Sequence, residues 1–249
     1  MANGSEPRRV GRARALWIIL RSVAVTLAIT IPTVADVHRG RYRREDGDRR
    51  LDWWSRRLLA FVGLRCRVEN PHGTVVPKGR PVIIMSNHSS LYDIPLVFQS
   101  LPGSIRMLTK RELFRVPIWG RGLAAGEFVA IDRRDRAQAI RDLAAARLKM
   151  ESGIVLWIAP EGTRSRDGRL RPFKKGGFML ALETGATIIP VGIRGARDVL
   201  PARSLRFAPG REATVTIGRP IEASRYTLET RDRLMAEVER EIRTLAALP

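Results

Sequence analysis

A histidine and an aspartate five residues apart follow an apolar segment in the first half of the chain. The segment reads PVIIMS (81–86), and NHSSLYDIP (87–95) comes directly after it. A strand at 81–86 would deliver His88 to its carboxyl end, where α/β proteins place ligands. A carboxylate such as Asp93 beside an imidazole selects one tautomer and stabilises the charge after proton uptake. The pair predicts a general base, and the alternative is that Asp93 only caps a helix and His88 only ends a strand.

A second short motif, PEGTRS (160–165), also follows an apolar segment. Gly162 allows backbone N–H groups to approach an anion, and Arg164 can donate two parallel hydrogen bonds to a phosphate. Glu161 can accept a hydrogen bond from a hydroxyl group. The motif therefore indicates a ligand that carries a phosphate and a hydroxyl, and the alternative is a surface turn with a solvated arginine.

Two further segments carry weaker signals. GEFVAIDR (126–133) predicts a strand that ends in an acid–base pair, Asp132 and Arg133. IPVGI (189–193) predicts a buried strand with an edge or bulge proline at Pro190.

Two nucleotide- or hydrolase-type motifs can be set aside. The spacing Gly120-x-Gly122-x-x-Ala125 matches a relaxed dinucleotide-binding pattern. A predicted strand follows it, however, where that pattern requires a helix. The chain contains no Gly-x-Ser-x-Gly sequence, which argues against a serine hydrolase.

The elements that must position these motifs alternate between short β-rich runs and helical patterns. Strands are predicted at 81–86, 104–109, 127–132, 154–159, 187–193 and 213–218, and helices at 136–150, 174–185 and 227–246. In the first of these helices, Ile140, Leu143, Ala144 and Leu148 are predicted to form the buried face. This alternation predicts an α/β fold with a largely parallel or mixed sheet flanked by helices. Backbone N–H groups at the start of the helix after His88 are candidates for stabilising an oxyanion.

The amino-terminal region predicts contact with a membrane. Residues 15–35 form an apolar run of sufficient length to span a bilayer, interrupted by Arg21 and Pro32. Arginines flank both ends of it: Arg8, Arg9, Arg12 and Arg14 before it, and Arg39, Arg41, Arg43 and Arg44 after it. Equal basic flanks favour a helix whose ends stay on one side of an anionic leaflet, over a true span or a cleaved signal peptide.

A second segment, LDWWSRRLLAFVGL (51–64), supports this prediction. Leu51, Trp54 and Leu58 recur at helical spacing, and two tryptophans lie next to two arginines, as in an interfacial helix. The alternative is a helix that packs in the core. We therefore expect a membrane-docking appendage over residues 1–65 and an α/β domain over residues 66–249.

Composition and charge limit the classes of function. At 44% hydrophobic and 28% charged residues, the chain is neither disordered nor a fibrous repeat. A single cysteine and three scattered histidines exclude an intrachain disulfide and a Cys/His zinc motif. The net charge is +20, and all but five of the 45 basic residues are arginine. Arginine favours phosphate-bearing partners, which include phospholipids, phosphorylated substrates and nucleic acids.

Taken together and in this order, the four motifs resemble those of the glycerolipid acyltransferase family. The family pattern is Asn-His-x4-Asp, then a Gly-x4-Asp-Arg-like run, then Phe-Pro-Glu-Gly-Thr-Arg-Ser, then Val- or Ile-Pro-Val. The resemblance covers about residues 65–220. One difference is Ala159, which stands where the family usually has phenylalanine.

The resemblance implies transfer of a fatty acyl chain from acyl-CoA or acyl-carrier protein to the sn-2 hydroxyl of lysophosphatidic acid. It makes His88 the general base and Asp93 the residue that orients it. It assigns binding of the glycerol phosphate to Glu161, Gly162, Thr163 and Arg164, with Arg133 and Lys174 as further ligands.

This chemistry requires no metal and no cofactor beyond the acyl donor. Since the substrates or products are membrane lipids, the resemblance also implies a membrane-associated protein on the cytoplasmic face of the inner membrane, with no nucleic-acid partner. Two alternatives remain at this point. One is a family member with another acceptor: a lysophospholipid, glycerol 3-phosphate or a lyso-aminolipid. The other is a non-catalytic basic protein that binds membranes or nucleic acid.

Overall fold

The computed structural model describes residues 9–132 and 135–248, so the predicted ligand Arg133 lies outside the described residues. Within this part of the chain, eight strands form one mixed sheet. The strands are β1 (Arg65–Glu69), β2 (Val82–Ser86), β3 (Ser104–Lys110), β4 (Val129–Ile131), β5 (Ile154–Ile158), β6 (Thr187–Arg194), β7 (Glu212–Ile217) and β8 (Ile221–Glu222).

The strand order is β1-β7-β6-β2-β5-β3-β4, with β8 paired to β6. Strands β2, β3, β4, β5 and β6 are mutually parallel, whereas β7 and β8 run antiparallel to β6. The carboxyl ends of β2, β5 and β6 therefore lie next to one another at one edge of the sheet. The α/β fold with a mixed sheet flanked by helices is confirmed.

Helices cover both faces of the sheet. They are α1 (Arg12–His38), α2 (Arg44–Phe61), α3 (Asp93–Ser100), α4 (Trp119–Ala125), α5 (Arg136–Glu151), α6 (Gly176–Thr184), α7 (Ala196–Val199) and α8 (Arg231–Leu245). Alternate residues of the central strands enter two cores. Ile84, Trp157 and Ile189 pack with α1, α2 and α3, while their chain neighbours pack with α5, α6 and α8. Burial on both faces explains why these strands read as continuous apolar runs.

All six predicted strands are present, and the predicted strand at 127–132 shortens to β4. The sequence did not indicate β1, because its residues RCRVE are largely exposed and lack an apolar pattern. Pro190 is not at an edge, since β6 pairs with strands on both sides. It lies where the antiparallel partner of β6 changes from β8 to β7, at a break in that ladder.

The predicted buried face of α5 is wrong at three of its four residues, Ile140, Ala144 and Leu148. Ile140 is 61% exposed and Leu148 is 66% exposed, whereas Ala146 and Met150 are buried. The helix carries two apolar stripes, and the second of them, Leu143, Ala146 and Met150, contacts the core. Sequence periodicity alone does not show which of two apolar stripes is buried, because that depends on how the helix packs against the sheet.

Among the described residues, α1 is the one helix long and apolar enough to cross a membrane. It contacts the rest of the protein along its length. Near its start, the Val10 N–H donates to the carbonyl of Phe207 at 2.9 Å. Further along, Thr26 Oγ1 accepts from Trp54 Nε1 at 3.0 Å. Toward its end it packs on α4 so closely that a Cβ on Gly122 would lie 2.5 Å from the Thr30 side chain.

Helix α2 combines the two alternatives considered for it. Leu59 is buried in the core, whereas Trp53 is exposed with the Arg57 guanidinium 5.4 Å from its ring centroid. A buried arginine ties the helix to the sheet: Arg106 Nη1 donates to Asp48 Oδ1 at 2.7 Å. The amino-terminal helices therefore share both a core and an ion pair with the α/β body.

Candidate active site

The turn after β2 brings the predicted histidine and aspartate together. Asp93 Oδ2 accepts three hydrogen bonds, from His88 Nδ1 at 2.7 Å, the Ser89 N–H at 2.7 Å and the Ser90 N–H at 2.8 Å. Asp93 is fully buried. Because a carboxylate only accepts, Nδ1 of His88 carries the proton and Nε2 is the proton acceptor.

Backbone N–H groups beside His88 are engaged within the turn. The N–H groups of Ser89 and Ser90 donate to Asp93, the Tyr92 N–H donates to Ser90 Oγ at 3.2 Å, and the Ile94 N–H in the first turn of α3 donates to the Leu91 carbonyl at 3.3 Å. A role of N–H groups at the start of this helix in stabilising an oxyanion stays a prediction. Asp93 Oδ2 thus accepts from the N–H three residues before it, as in one half of a capping box, while Ser90 Oγ accepts from the Tyr92 N–H and not from the Asp93 N–H.

Trp157 and Asn87, for which the sequence predicted no role, help to position His88. Trp157 of β5 lies edge-on to the imidazole, with ring centroids 5.9 Å apart, and its Nε1 donates to Ser86 Oγ at 3.0 Å. Asn87 exchanges two 2.8 Å hydrogen bonds with the backbone of Ile193 in β6. Asn87 thus joins β2 to β6 at the point where the turn that carries His88 begins.

The second motif is anchored directly on His88. Glu161 Oε1 accepts from the His88 N–H at 2.8 Å, and the Ser165 N–H donates to the His88 carbonyl at 2.7 Å. Glu161 Oε2 accepts from the Arg171 N–H at 3.0 Å. Both oxygens of the buried Glu161 are therefore engaged by backbone. Gly162 makes the tight turn possible with a φ of +71°, which side chains disfavour.

Burial raises the pKa of Glu161 to about 7, and the N–H groups of Arg171 and His88 oppose the shift. The folded protein thus binds more protons at this carboxyl than the unfolded chain between about pH 4.5 and pH 7. The free energy of unfolding consequently falls as the pH rises through this window.

The free energy of unfolding of Glu161→Gln is expected to depend less on pH. Its fall between about pH 4.5 and pH 7 should be smaller than that of the wild type by about 1–3 kcal/mol. The substitution should also lower the free energy of unfolding. The NH2 group of the glutamine side chain would face the N–H of either His88 or Arg171, and two donors cannot form a hydrogen bond. Denaturant unfolding at a series of pH values measures both effects, with exposed Glu112→Gln as the matched control. A slope in Glu161→Gln equal to that of the wild type would contradict the assignment.

Arg164 is half-buried and has no hydrogen-bond partner among the described residues. Burial lowers its pKa, Asp93 opposes the shift, and the charge of Arg203 adds to it. Arg203 follows α7 in a different loop, so no sequence signal linked it to this site. Two like charges approach each other beside the His88–Asp93 pair, and this arrangement suits an anionic ligand.

A cavity of about 670 Å³ with both polar and apolar lining residues, which we call the mixed cavity, adjoins the second motif. It is bordered by four of the predicted binding residues: Glu161, Gly162, Thr163 and Lys174. Lys174 is held there by its N–H, which donates to the Pro160 carbonyl at 2.8 Å. Arg164 does not border this cavity.

A separate apolar cavity has a volume of about 270 Å³. Its walls come from α1, α2, α3, α4 and β3, and include Trp54, Leu91, Ile94 and Phe98. Leu91 and Ile94 belong to the turn and helix that follow His88. Residues next to His88 and Asp93 thus border the apolar cavity, and the second motif, which is hydrogen-bonded to His88, borders the mixed one. Within residues 9–132 and 135–248, no group of three or more His, Cys, Asp or Glu side chains could hold a metal ion.

Comparisons with known proteins agree with this geometry. The Acyltransferase family model matches residues 67–194. The human 1-acyl-sn-glycerol-3-phosphate acyltransferase beta is 31% identical over 195 residues, which cover 78% of this chain and 69% of that protein. The chloroplastic 1-acyl-sn-glycerol-3-phosphate acyltransferase BAT2 of Brassica napus is 32% identical, but the match spans only 43% of that relative.

A solved structure has the same fold over nearly its whole length. The crystal structure of the 1-acyl-sn-glycerophosphate (LPA) acyltransferase PlsC from Thermotoga maritima superposes with a TM-score of 0.70 and 25% identity. The match covers 92% of this chain and 97% of that one. From the family-model match over half of its length and the human relative matched over two thirds, the chain belongs to the acyltransferase family.

Proposed function

We propose that this protein transfers a fatty acyl chain from a thioester to the sn-2 hydroxyl of lysophosphatidic acid, giving phosphatidic acid. The observation that carries the proposal is the His88–Asp93 pair, with Nε2 as proton acceptor, together with an apolar cavity bordered by Leu91 and Ile94 and a mixed cavity bordered by the second motif. The apolar cavity suits an acyl chain, and the mixed cavity, which Thr163 and Lys174 border, suits a phosphorylated glycerol. The names of the relatives support the same substrate class.

In the proposed reaction, His88 Nε2 takes the proton of the acceptor hydroxyl while the hydroxyl oxygen bonds to the thioester carbonyl carbon. The carbon–sulfur bond of the tetrahedral intermediate then breaks, and the imidazolium returns the proton to the thiolate. Asp93 stabilises the imidazolium through the 2.7 Å hydrogen bond at Nδ1. A thioester is already activated, so no covalent acyl-enzyme is needed.

The acceptor's glycerol phosphate is proposed to bind Gly162, Thr163, Arg164 and Lys174. The guanidinium of Arg164 supplies a planar fork for the phosphate, and Lys174 supplies a second cation. Arg133 stays a proposed ligand on resemblance alone. Glu161 borders the cavity, and because both its oxygens accept backbone N–H groups, its proposed part is to hold the binding loop against His88.

The protein is further proposed to dock on the cytoplasmic face of a membrane through α1 and α2. Leu16, Trp17, Leu20 and Val23 of α1 are exposed, although the helix is anchored to the body near its start and toward its end. Because the body holds α1 along its length, the helix is proposed to lie in the membrane interface and not to cross the bilayer. Such docking would place the apolar cavity next to the lipid that supplies or receives the acyl chain.

The function is tested with the purified full chain in detergent. Lysophosphatidic acid and acyl-CoA should release free CoA and form phosphatidic acid, detected by a thiol reagent and by lipid analysis. Parallel reactions with acyl-carrier protein, glycerol 3-phosphate and other lysophospholipids identify the preferred donor and acceptor. Turnover with another acceptor but none with lysophosphatidic acid would reject the proposed substrate and keep the reaction type.

Ala159→Phe is expected to narrow the range of acceptors. Ala159 borders the mixed cavity, so a phenyl ring there would occupy space that larger acceptors need. We expect activity on lysophosphatidic acid to persist and activity on bulkier lysophospholipids to fall about tenfold. Ala60→Phe, at an exposed position near the end of α2, is the control. An acceptor profile equal to that of the wild type would mean that residue 159 does not limit the cleft.

A further inference from the structure

The loop between α7 and β7 carries an exposed aliphatic side chain. We call residues 200–209 the Leu205 loop. Leu205 is 68% exposed at its tip, and Arg203 and Arg206 on either side are exposed as well. A single exposed leucine is ordinary on a protein surface, so the inference depends on what holds the loop and what lies beside it.

The Leu205 loop has a defined internal structure. The Ser204 N–H donates to the Pro201 carbonyl at 3.2 Å, and the Arg206 N–H donates to Ser204 Oγ at 3.0 Å. Phe207 and Ala208 are buried in the body directly after the tip. Leu205 is therefore held outward by the anchoring of the residues that follow it.

The loop is continuous with the exposed side of α1. The 2.9 Å hydrogen bond from the Val10 N–H to the Phe207 carbonyl places the start of α1 beside the loop. The first turns of α1 expose Arg12, Arg14, Leu16 and Trp17. Residues 9–20 and 200–209 contain no aspartate or glutamate. Arginine and apolar side chains without acidic residues form a surface that complements an anionic lipid interface.

The loop is also joined to the catalytic turn. Ser90 Oγ donates to the Leu200 carbonyl at 2.8 Å, and Ser90 is the residue whose N–H donates to Asp93. Lipid held at the Leu205 loop would therefore lie beside the turn that carries His88. An acidic protein would match the arginines as well, but it would leave the outward Leu205 and the adjoining apolar side of α1 without a partner.

We propose that the Leu205 loop is a second membrane contact, in which Leu205 enters the acyl region of an anionic leaflet and Arg203 and Arg206 bind lipid phosphates. The proposal extends the membrane docking proposed for α1. It also places the side of the His88 turn that contacts Leu200 toward the lipid surface.

The first test places an environment-sensitive fluorophore on the full-length protein. Cys66 is the single cysteine, so Cys66→Ala with Leu205→Cys provides one labelling position. The matched control is Val75→Cys, which is 73% exposed. Val75 follows β1, whereas the Leu205 loop precedes the parallel strand β7, so the two positions lie at opposite ends of these strands. Vesicles containing phosphatidylglycerol should shift the emission of the probe at 205 to the blue and leave the probe at 75 unchanged.

The second test measures partition to the same vesicles. Leu205→Glu should weaken binding about tenfold, because a leucine burial is lost and a like charge is added. Arg203→Ala and Arg206→Ala should each weaken it about fivefold with anionic vesicles, and little with neutral ones. Val75→Glu should change binding less than twofold.

The outcomes separate this proposal from the docking of α1. If the protein sediments with vesicles but the emission of the probe at 205 does not shift, the Leu205 contact is wrong and α1 is the docking element. A response of the probe to acyl-carrier protein, but not to vesicles, would also overturn it and assign the loop to an acidic partner. Failure of the wild type to bind vesicles at all would reject the docking proposal and this one together.

Discussion

Replacing His88 with alanine is expected to lower kcat by roughly 10²–10⁴-fold, the usual contribution of a positioned general base. The fold should survive, because the two hydrogen bonds that anchor residue 88 use its backbone N–H and carbonyl, which alanine retains. The edge-on contact with Trp157 is lost, at a cost to stability of about 1 kcal/mol. Steady-state kinetics with lysophosphatidic acid, together with a thermal melt, check both statements.

Asp93→Asn should reduce kcat less than His88→Ala does. The amide oxygen can accept the same three hydrogen bonds, so the orientation of the imidazole partly persists, but the negative charge that stabilises the imidazolium is lost. His72→Ala is the matched control, since His72 is exposed and its Nδ1 accepts only from Arg219. A well-folded His88→Ala protein with a rate near that of the wild type would exclude the proposed mechanism.

Arg164→Ala is expected to lower kcat/KM for lysophosphatidic acid by roughly 30- to 1,000-fold, with little change in the KM for the acyl donor. The half-buried guanidinium has no hydrogen-bond partner among the described residues, so a bound phosphate would supply the two parallel hydrogen bonds that it can donate. Arg164→Lys should restore only part of the activity, because an ammonium keeps the charge but not the planar fork.

The control for Arg164 is Arg169→Ala, an exposed arginine later in the same loop, which should change the kinetics less than about twofold. A phosphate-free acceptor, monoacylglycerol, distinguishes binding from scaffolding. If Arg164→Ala loses equal activity on both acceptors, the residue supports the loop and does not bind phosphate.

The contact between His88 and Asp93 could be predicted from the sequence because it is local. His88 and Asp93 lie on one turn between a strand and a helix, and the backbone of such a turn alone brings them within 2.7 Å. The central strands were also predictable, because burial on both faces requires continuous apolar runs. The edge strand β1 was not, since exposure on both sides removes that requirement.

The limits of prediction appear where local patterns allow two answers. Helix α5 carries two apolar stripes, and the one that contacts the sheet is not the one that its larger side chains indicated. The amino-terminal helices were expected to form an appendage, and their apolar and aromatic residues were recognised. That they share a core with the body follows from long-range contacts such as Arg106 to Asp48.

Residue types and local spacing thus indicated the proposed general base, its carboxylate partner and the proposed phosphate-binding loop, because each of these lies within a single turn. Tertiary structure decided how they meet. Glu161 reaches the His88 N–H only because β2 and β5 are adjacent parallel strands whose carboxyl ends share an edge. Arg203 approaches Arg164 only because two loops distant in sequence converge there. Such contacts depend on strand order, and strand order is set by packing of the whole core, which no short segment encodes.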